Sequence, residues 1–355
     1  MGSTQELQPL LVRADANAAM GSGHVMRCLA LAQAWGCRGG PVWFLSRCNN
    51  ATLQQRIQAA GAEFLSLSPD ASTHLDIQST LTLLAELKAA YVVLDGYDFD
   101  SDYQRAVRAG GYRLLVIDDT VRLPHYDADI LLNQNLGAAE LKYDCNSDTV
   151  VLLGPEYALL RREFIFWRSR LHTVPETARK ILVTLGGSDP DNVTLNVIQA
   201  LRRLEITRLE IRVVAGPANP HIDELRDAAA AFPGRLELLS AVSDMAPLMA
   251  WADLAITAAG STCWELACLG LPAVSLVIAE NQRGIAEELG AAGVVFNLGW
   301  HAEVSAERLA NAVDGLLFSS FRRLRMSQKG RALVDGKGAE RVVSALLQRN
   351  CVRAA

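Results

Sequence analysis

The pentapeptide Met20-Gly21-Ser22-Gly23-His24 puts a histidine behind two glycines and at the head of an apolar stretch with helical spacing, Val25 to Trp35. Imidazole is the side chain best suited to exchanging a proton near neutral pH. A helix N-terminus and the cation of Arg27, one turn on, both oppose a positive ring, which favours a neutral His24 able to accept a proton. Asp15 ends the preceding strand and, where it contacts the ring, would orient its tautomer and oppose part of that shift toward neutrality. The loop lacks the third glycine and downstream acid of a dinucleotide fingerprint, and the Lys-Ser/Thr of a P-loop. A histidine that only fills space is the plain alternative.

Loops in the second half suit an anion instead. In "TAAGSTCWELACLG" a strand ends at Thr257, small residues make the turn, and a helix begins near Cys263. Backbone N–H groups at Gly260, Ser261 and Thr262, with the two hydroxyls and the helix dipole, favour a phosphate. Glu265, in the first helical turn, is placed to accept from a ribose diol. Ordinary helix capping is the competing explanation for Ser261, Thr262 and Glu265. "TLGGSDPDN" is a second glycine turn, where Gly186, Gly187 and Ser188 would let a ligand approach the backbone, while Asp189 and Asp191 fit equally well as caps. Asn219 and His221 in "VVAGPANPH" read as turn residues or as ligand contacts.

These loops need strands to end on and helices to open. Runs at 10–16, 41–47, 91–97, 113–119, 129–135 and 149–154, with "AEFLSL", are apolar and alternate with amphipathic segments at 75–89 and 101–110. That is the pattern of buried parallel strands with helical crossovers. The rhythm breaks at "ALLRREFIFWRSRLHTVPETARK" and restarts at 180–194, 209–217, 235–242, 254–270 and 272–279. The expected organisation is an N-terminal α/β domain over 1–160, a linker over 161–179, a second α/β domain over 180–335, and a C-terminal helix over 336–355 that packs back on the first. The fold class is α/β, two doubly wound Rossmann-like domains facing across a cleft.

Composition narrows the partners. The 355 residues carry a formal charge of −5, with no Lys/Arg block to track phosphates, so a nucleic-acid partner is not expected. No apolar run reaches membrane-spanning length and "MGSTQELQP" is not a signal peptide, which points to a cytoplasmic protein acting on a small molecule. The seven cysteines form no CxxC pair and read as reduced, mostly buried thiols. Asp118 and Asp119 are adjacent on a strand and so face opposite ways, which argues against a shared metal. Neither metal nor cofactor is expected.

Taken together, "RADANAAMGSGHVMRCLALA", "LDGYDF", "IDD", "LNQN", "LLGPEYALLRREF", "ILVTLGGSDPDN" and "ITAAGSTCWELACLGLPAVSL" with "ENQ" resemble the UDP-2,4-diacetamido-2,4,6-trideoxy-β-L-altropyranose hydrolases of pseudaminic acid biosynthesis. The similarity runs from Arg13 to about Trp300. That family in turn resembles the two-domain GT-B glycosyltransferases, including the lipid-linked N-acetylglucosaminyl transferase of peptidoglycan synthesis. The resemblance implies a UDP-sugar partner, with UDP on the C-terminal domain and the sugar toward the GxGH loop. It makes His24 the proton acceptor, and Asn281 and Gln282 sugar contacts where they are not simply turn residues; a water activated by His24 would attack C1 on the face opposite UDP, with inversion. On the N-terminal side, Asp15, Gly21, Gly23, Arg27, Tyr97, Asp98, Asn133 and Asn135 are the expected substrate contacts, with Asp95 and Gln134 beside them.

Three rivals stand beside hydrolysis, one of them a non-hydrolysing epimerase of the same fold, which would need acid/base groups at C2. A GT-B glycosyltransferase would use the same UDP-sugar site with a hydroxyl acceptor, and a non-catalytic sugar-nucleotide sensor would keep the UDP loops without needing His24.

Overall fold

The computed structural model describes residues 7–17, 21–170, 173–187, 189–206, 208–216, 219–240 and 242–348. The chain divides into two compact units, one ending at Arg162 and completed by residues from Gly336 onward, the other Glu163–Asp335.

The first unit is built on seven strands: β1 (Leu10–Ala14), β2 (Val42–Ser46), β3 (Glu63–Ser66), β4 (Tyr91–Asp95), β5 (Arg113–Ile117), β6 (Ile130–Asn133) and β7 (Val150–Leu153). All pair in parallel, in the order β3-β2-β1-β4-β5-β6-β7. The chain winds outward from β1 in one direction and, from β4, in the other. Between β1 and β4 the order reverses, and there the loops leaving adjacent carboxyl ends part to opposite faces and open a crevice. Ala14 pairs with Asp95 at that point.

Helix Gly23–Gly36 follows β1 and buries Val25, Cys28, Leu29, Ala32 and Trp35, as well as Ala30 and Leu31 behind them. Apolar residues nearly all round suit a helix covered on two sides. One side is the sheet, and the other is helix Gly338–Leu347, whose Ala339, Val342, Val343 and Leu346 join the same core. Gly338 is required there, because a Cβ would lie 2.2 Å from the Ala158 carbonyl oxygen.

The second unit carries β8 (Lys180–Thr184), β9 (Glu210–Ala215), β10 (Arg235–Ser240), β11 (Leu254–Ala258), β12 (Ala273–Val277) and β13 (Val295–Trp300). Their parallel order, β10-β9-β8-β11-β12-β13, again reverses between the first strand of the unit and the fourth. The segment expected to be a linker contains helix Arg162–Arg168, and the Arg168 guanidinium donates to the carbonyls of Cys268 and Arg331 within the second unit.

Leu346 is 1% exposed in the first core, so Leu346→Ala should cost about 2–5 kcal/mol in urea unfolding of the intact chain. A loss below about 0.5 kcal/mol would mean that the terminal helix is not part of that core.

Candidate functional site

His24, Arg27 and Cys28 sit at i, i+3 and i+4 in the first turns of helix Gly23–Gly36 and so share a face. All three reach Asp95, the last residue of β4. His24 Nδ1 lies 2.8 Å from Asp95 Oδ1, Arg27 donates from Nε and Nη2 at 2.6 Å each, and the Cys28 thiol donates at 3.4 Å. Asp95 is fully buried. Burial by itself would raise its carboxyl, but the Arg27 guanidinium and the His24 ring override this and hold it well below the ordinary carboxylate range. An ionised carboxylate can only accept, so the proton of a neutral ring belongs on Nδ1 and the lone pair on Nε2. Some 11% of the His24 side chain remains exposed, and Tyr97 packs edge-on to the ring at 5.0 Å between centroids.

The carboxylate expected on the ring was that of Asp15, and this is corrected. Asp15 is claimed by Arg13, at 2.5 and 2.8 Å, and by the Arg47 amide at 2.7 Å. The reason lies inside β1: Arg13 is completely buried, and its guanidinium also needs Asp76, at 2.7 and 2.9 Å. Arg27 is likewise not an isolated cation opposing a positive ring, since Asp95 and Asp119 neutralise it.

The remaining residues expected on this side divide by exposure. Gly21 turns the chain at φ +76°, a left-handed conformation that favours glycine, and Gly23 opens the helix. Tyr97 and Asp98 are exposed; Arg122 stacks on Tyr97 and Arg47 approaches Asp98 at 3.5 Å. Asn133 is completely buried, donating to Tyr143 Oη and the Asp119 carbonyl and accepting from the Asn135 amide. Its side chain is engaged in holding that loop. Asn135 donates to Asp119, and Gln134 accepts from the Leu159 amide. Asp118 and Asp119 stand beyond the end of β5 rather than on it, yet their side chains do diverge: Asp118 caps the Thr120 and Val121 amides, Asp119 faces Arg27. Among the described residues no group of three or more His, Cys, Asp or Glu could hold a metal ion.

In the second unit, the loops after β8 and β11 leave neighbouring strands at the reversal of strand order. Helix Thr262–Leu269 begins without a side-chain cap, so capping does not account for Ser261, which is exposed. Glu265 is half-buried in the first turn. The Cys263 thiol on the inner side is pushed up to about 12, by burial and then by Glu265. Gln282 accepts from the Ile278 amide, and its Nε2 lies 3.8 Å from where a Gly260 side chain would begin, so it packs beside the turn after β11. Its neighbour Asn281 is exposed.

Gly186 adopts φ +95°, and a side chain on Gly216 would strike the Gly187 carbonyl oxygen at 2.0 Å, so the two loops touch backbone to backbone. Ser188 lies outside the described residues. Asp189 is a helix cap, accepting from the Val193 and Thr194 amides at 2.9 Å each, and Asn219 is a turn residue accepting from the His221 amide.

Residues 181–342 match the glycosyltransferase family 28 C-terminal domain. Over 220 residues, 62% of its length, the chain is 32% identical to the spore coat polysaccharide biosynthesis protein SpsG of Bacillus subtilis, and the match spans 64% of that protein, under two thirds. It is a distant homologue, at 25% identity over 287 residues, of the UDP-2,4-diacetamido-2,4,6-trideoxy-β-L-altropyranose hydrolase of Campylobacter jejuni, covering 80% of this chain and 97% of that one. Among solved structures, MurG of Acinetobacter baumannii superposes with a TM-score of 0.66 at 17% identity, covering 96% of this chain and 99% of that one. The fold is therefore two parallel-sheet, Rossmann-like α/β units of the GT-B kind. Among the described residues no helix is long and apolar enough to cross a membrane.

The Asp95 pairing has a pH signature. A carboxyl held below its unfolded value of about 3.9 contributes stability that is complete above roughly pH 4 and is lost as pH falls through the folded value. Asp95→Asn should cost about 3 kcal/mol at pH 6 by removing the buried charge that the Arg27 fork and the His24 ring pair with, and should flatten the loss of stability between about pH 4 and pH 2. Urea midpoints across that range check both; an unchanged acid profile would mean that Asp95 is not the group being protonated.

Proposed function

We propose that the chain hydrolyses a UDP-linked diacetamido-trideoxy hexose to UDP and free sugar. The observation that carries this reading is His24: its ring is oriented by Asp95 with Nε2 as acceptor, at the carboxyl ends of β1 and β4 where ligands of such sheets bind. The similarity to the Campylobacter hydrolase over 97% of that protein supports the reaction type.

In the proposed step His24 Nε2 takes a proton from water as the water oxygen bonds to C1 on the face opposite the diphosphate. The C1–O bond breaks, its electrons leave with UDP, and the sugar is released with inverted configuration. UDP is a stable anion and needs no acid to depart. It needs electrostatic support, which the helix start at Gly260, Ser261 and Thr262 offers through backbone donors and the helix dipole, with Gly186 and Gly187 as a second close-approach turn. Glu265 is assigned to the ribose hydroxyls, and Asn281 to the sugar. No metal or cofactor is required by this chemistry, and the protein is assigned to the cytoplasm.

The match of residues 181–342 to a glycosyltransferase domain favours a second reading, in which a hydroxyl acceptor takes the place of water. Incubation with a UDP-diacetamido sugar and no acceptor separates the two: hydrolysis releases UDP and free sugar, and in ¹⁸O-water the label enters the sugar and not UDP. Absence of UDP release without an acceptor would favour the transferase.

His24→Asn should lower kcat by roughly a hundredfold or more while leaving UDP affinity unchanged, because the base acts only in the transition state. Near-normal turnover in the folded variant would remove His24 from the mechanism. Glu265→Ala should weaken UDP binding by on the order of 1–3 kcal/mol in calorimetric titration. Unchanged affinity with a lowered melting temperature would return Glu265 to a purely helical role.

A further inference from the structure

The Arg27 guanidinium has a second partner that the proposed mechanism leaves unused. Its Nη1 donates to Asp119 Oδ2 at 2.7 Å, while Nε and Nη2 grip both oxygens of Asp95. The bond to Asp119 ties the same guanidinium to a second carboxylate, so that Arg27 bridges the two acids. Asp119 is itself held, its Oδ1 accepting from Asn135 Nδ2 at 3.2 Å and its carbonyl from Asn133 Nδ2 at 3.3 Å. Asn133 in turn donates to Tyr143 Oη, which donates to the Asp118 carbonyl. The chain of contacts thus runs from the ends of β5 and β6 through Arg27 to Asp95 and the His24 ring.

We propose that Asp119 is a positioning residue for His24, acting through Arg27 and Asp95 to fix the Nδ1–H tautomer and to supply the charge that balances the ring once protonated. The inference rests on the reading of His24 as a base. Its second half follows from a charge count: Asp95 and Asp119 against Arg27 leave one net negative charge beside the imidazole, and proton uptake by His24 brings the group to neutrality. The adjacent Cys28 thiol adds none, since burial and Asp95 push its ionisation well up. A purely structural purpose explains this set poorly. Buried ion networks are weak sources of stability compared with apolar packing of the same volume, whereas an ion set poised for one extra positive charge lowers the energy of the state in which that charge forms.

The test uses the full chain labelled with ¹⁵N-histidine, the His24 resonances being assigned by their loss in His24→Asn. In the wild type the imidazole spectrum should show Nδ1 protonated and Nε2 unprotonated. Asp119→Asn removes the charge at nearly constant shape. The expected result is a folded protein whose His24 signals shift toward mixed tautomers, with kcat lowered about 10- to 100-fold and KM within about twofold of wild type. Asp119→Glu, which retains the charge, should recover part of kcat. If Asp119→Asn does not fold, Asn135→Ala loosens the same carboxylate from its other side and carries both readouts with the same expected direction. A folded Asp119→Asn protein whose His24 spectrum matches wild type overturns the proposal, whatever its activity. A changed spectrum in a chain that hydrolyses no UDP-sugar supports the positioning and instead removes the reading of His24 as a hydrolytic base.

Discussion

The buried ion pair between Asp95 and Arg27 is the contact around which the first unit's strand ends are arranged. A carboxylate at the end of a central strand, wholly removed from water, is strongly unfavourable unless charged donors surround it. Helix Gly23–Gly36 brings those donors, and it can do so only by entering with the face of His24, Arg27 and Cys28 turned toward β4. The direction of the helix, the sharp turn at Gly21 and the orientation of the imidazole are therefore one decision. A helix rotated by one residue would swing all three donors off Asp95 and leave the carboxylate stranded.

The same sheet topology occurs in both units, with opposite chemistry at the reversal of strand order. In the first unit the strand ends carry charge: Asp15 after β1, Asp95 on β4, Asp118 and Asp119 after β5. In the second they carry small residues, with Gly186 and Gly187 after β8 and Ala259, Gly260 and Ser261 after β11. A charged crevice of fixed side chains suits proton transfer, and a bare backbone crevice at a helix start suits an anion. The two units thus differ in what their strand-end loops contain, on scaffolds with closely similar strand order.

Much of this was legible beforehand. Parallel strands buried on both faces need long apolar runs, so β1, β4, β5 and β11 announce themselves, and the segment 129–135 contains β6 as observed over Ile130–Asn133. Asp95 as the partner of His24 was not legible by proximity in sequence, because the two are 71 residues apart and meet only through strand order. Two signals pointed to it. One is the spacing of His24, Arg27 and Cys28, which asks for an acceptor on one helical face. The other is Arg13 in the middle of an apolar strand: a guanidinium buried there must have carboxylates, and Asp15, two residues away on the same side of β1, is the first available. Once Arg13 takes Asp15, the ring must look to the next strand.

Hydrogen-bond bookkeeping also limits which polar residues at the strand ends of the first unit can meet a ligand. Asn133, Gln134 and Asn135 read as a recognition triplet in sequence, yet each is hydrogen-bonded within the protein: Asn133 donates to Tyr143 and the Asp119 carbonyl, Gln134 accepts from the Leu159 amide, and Asn135 donates to the Asp119 carboxylate. Drawing Asn133 toward a ligand would abandon those bonds at a fully buried site, at a cost of about 1–3 kcal/mol for each group left unsatisfied. Tyr97 and Asp98 face no such cost, since both are exposed after β4 and Tyr97 already lies against the imidazole. On the proposed reading, recognition on this side falls to the loop that follows Asp95 rather than to the asparagines after β6, which hold Asp119 through their own hydrogen bonds.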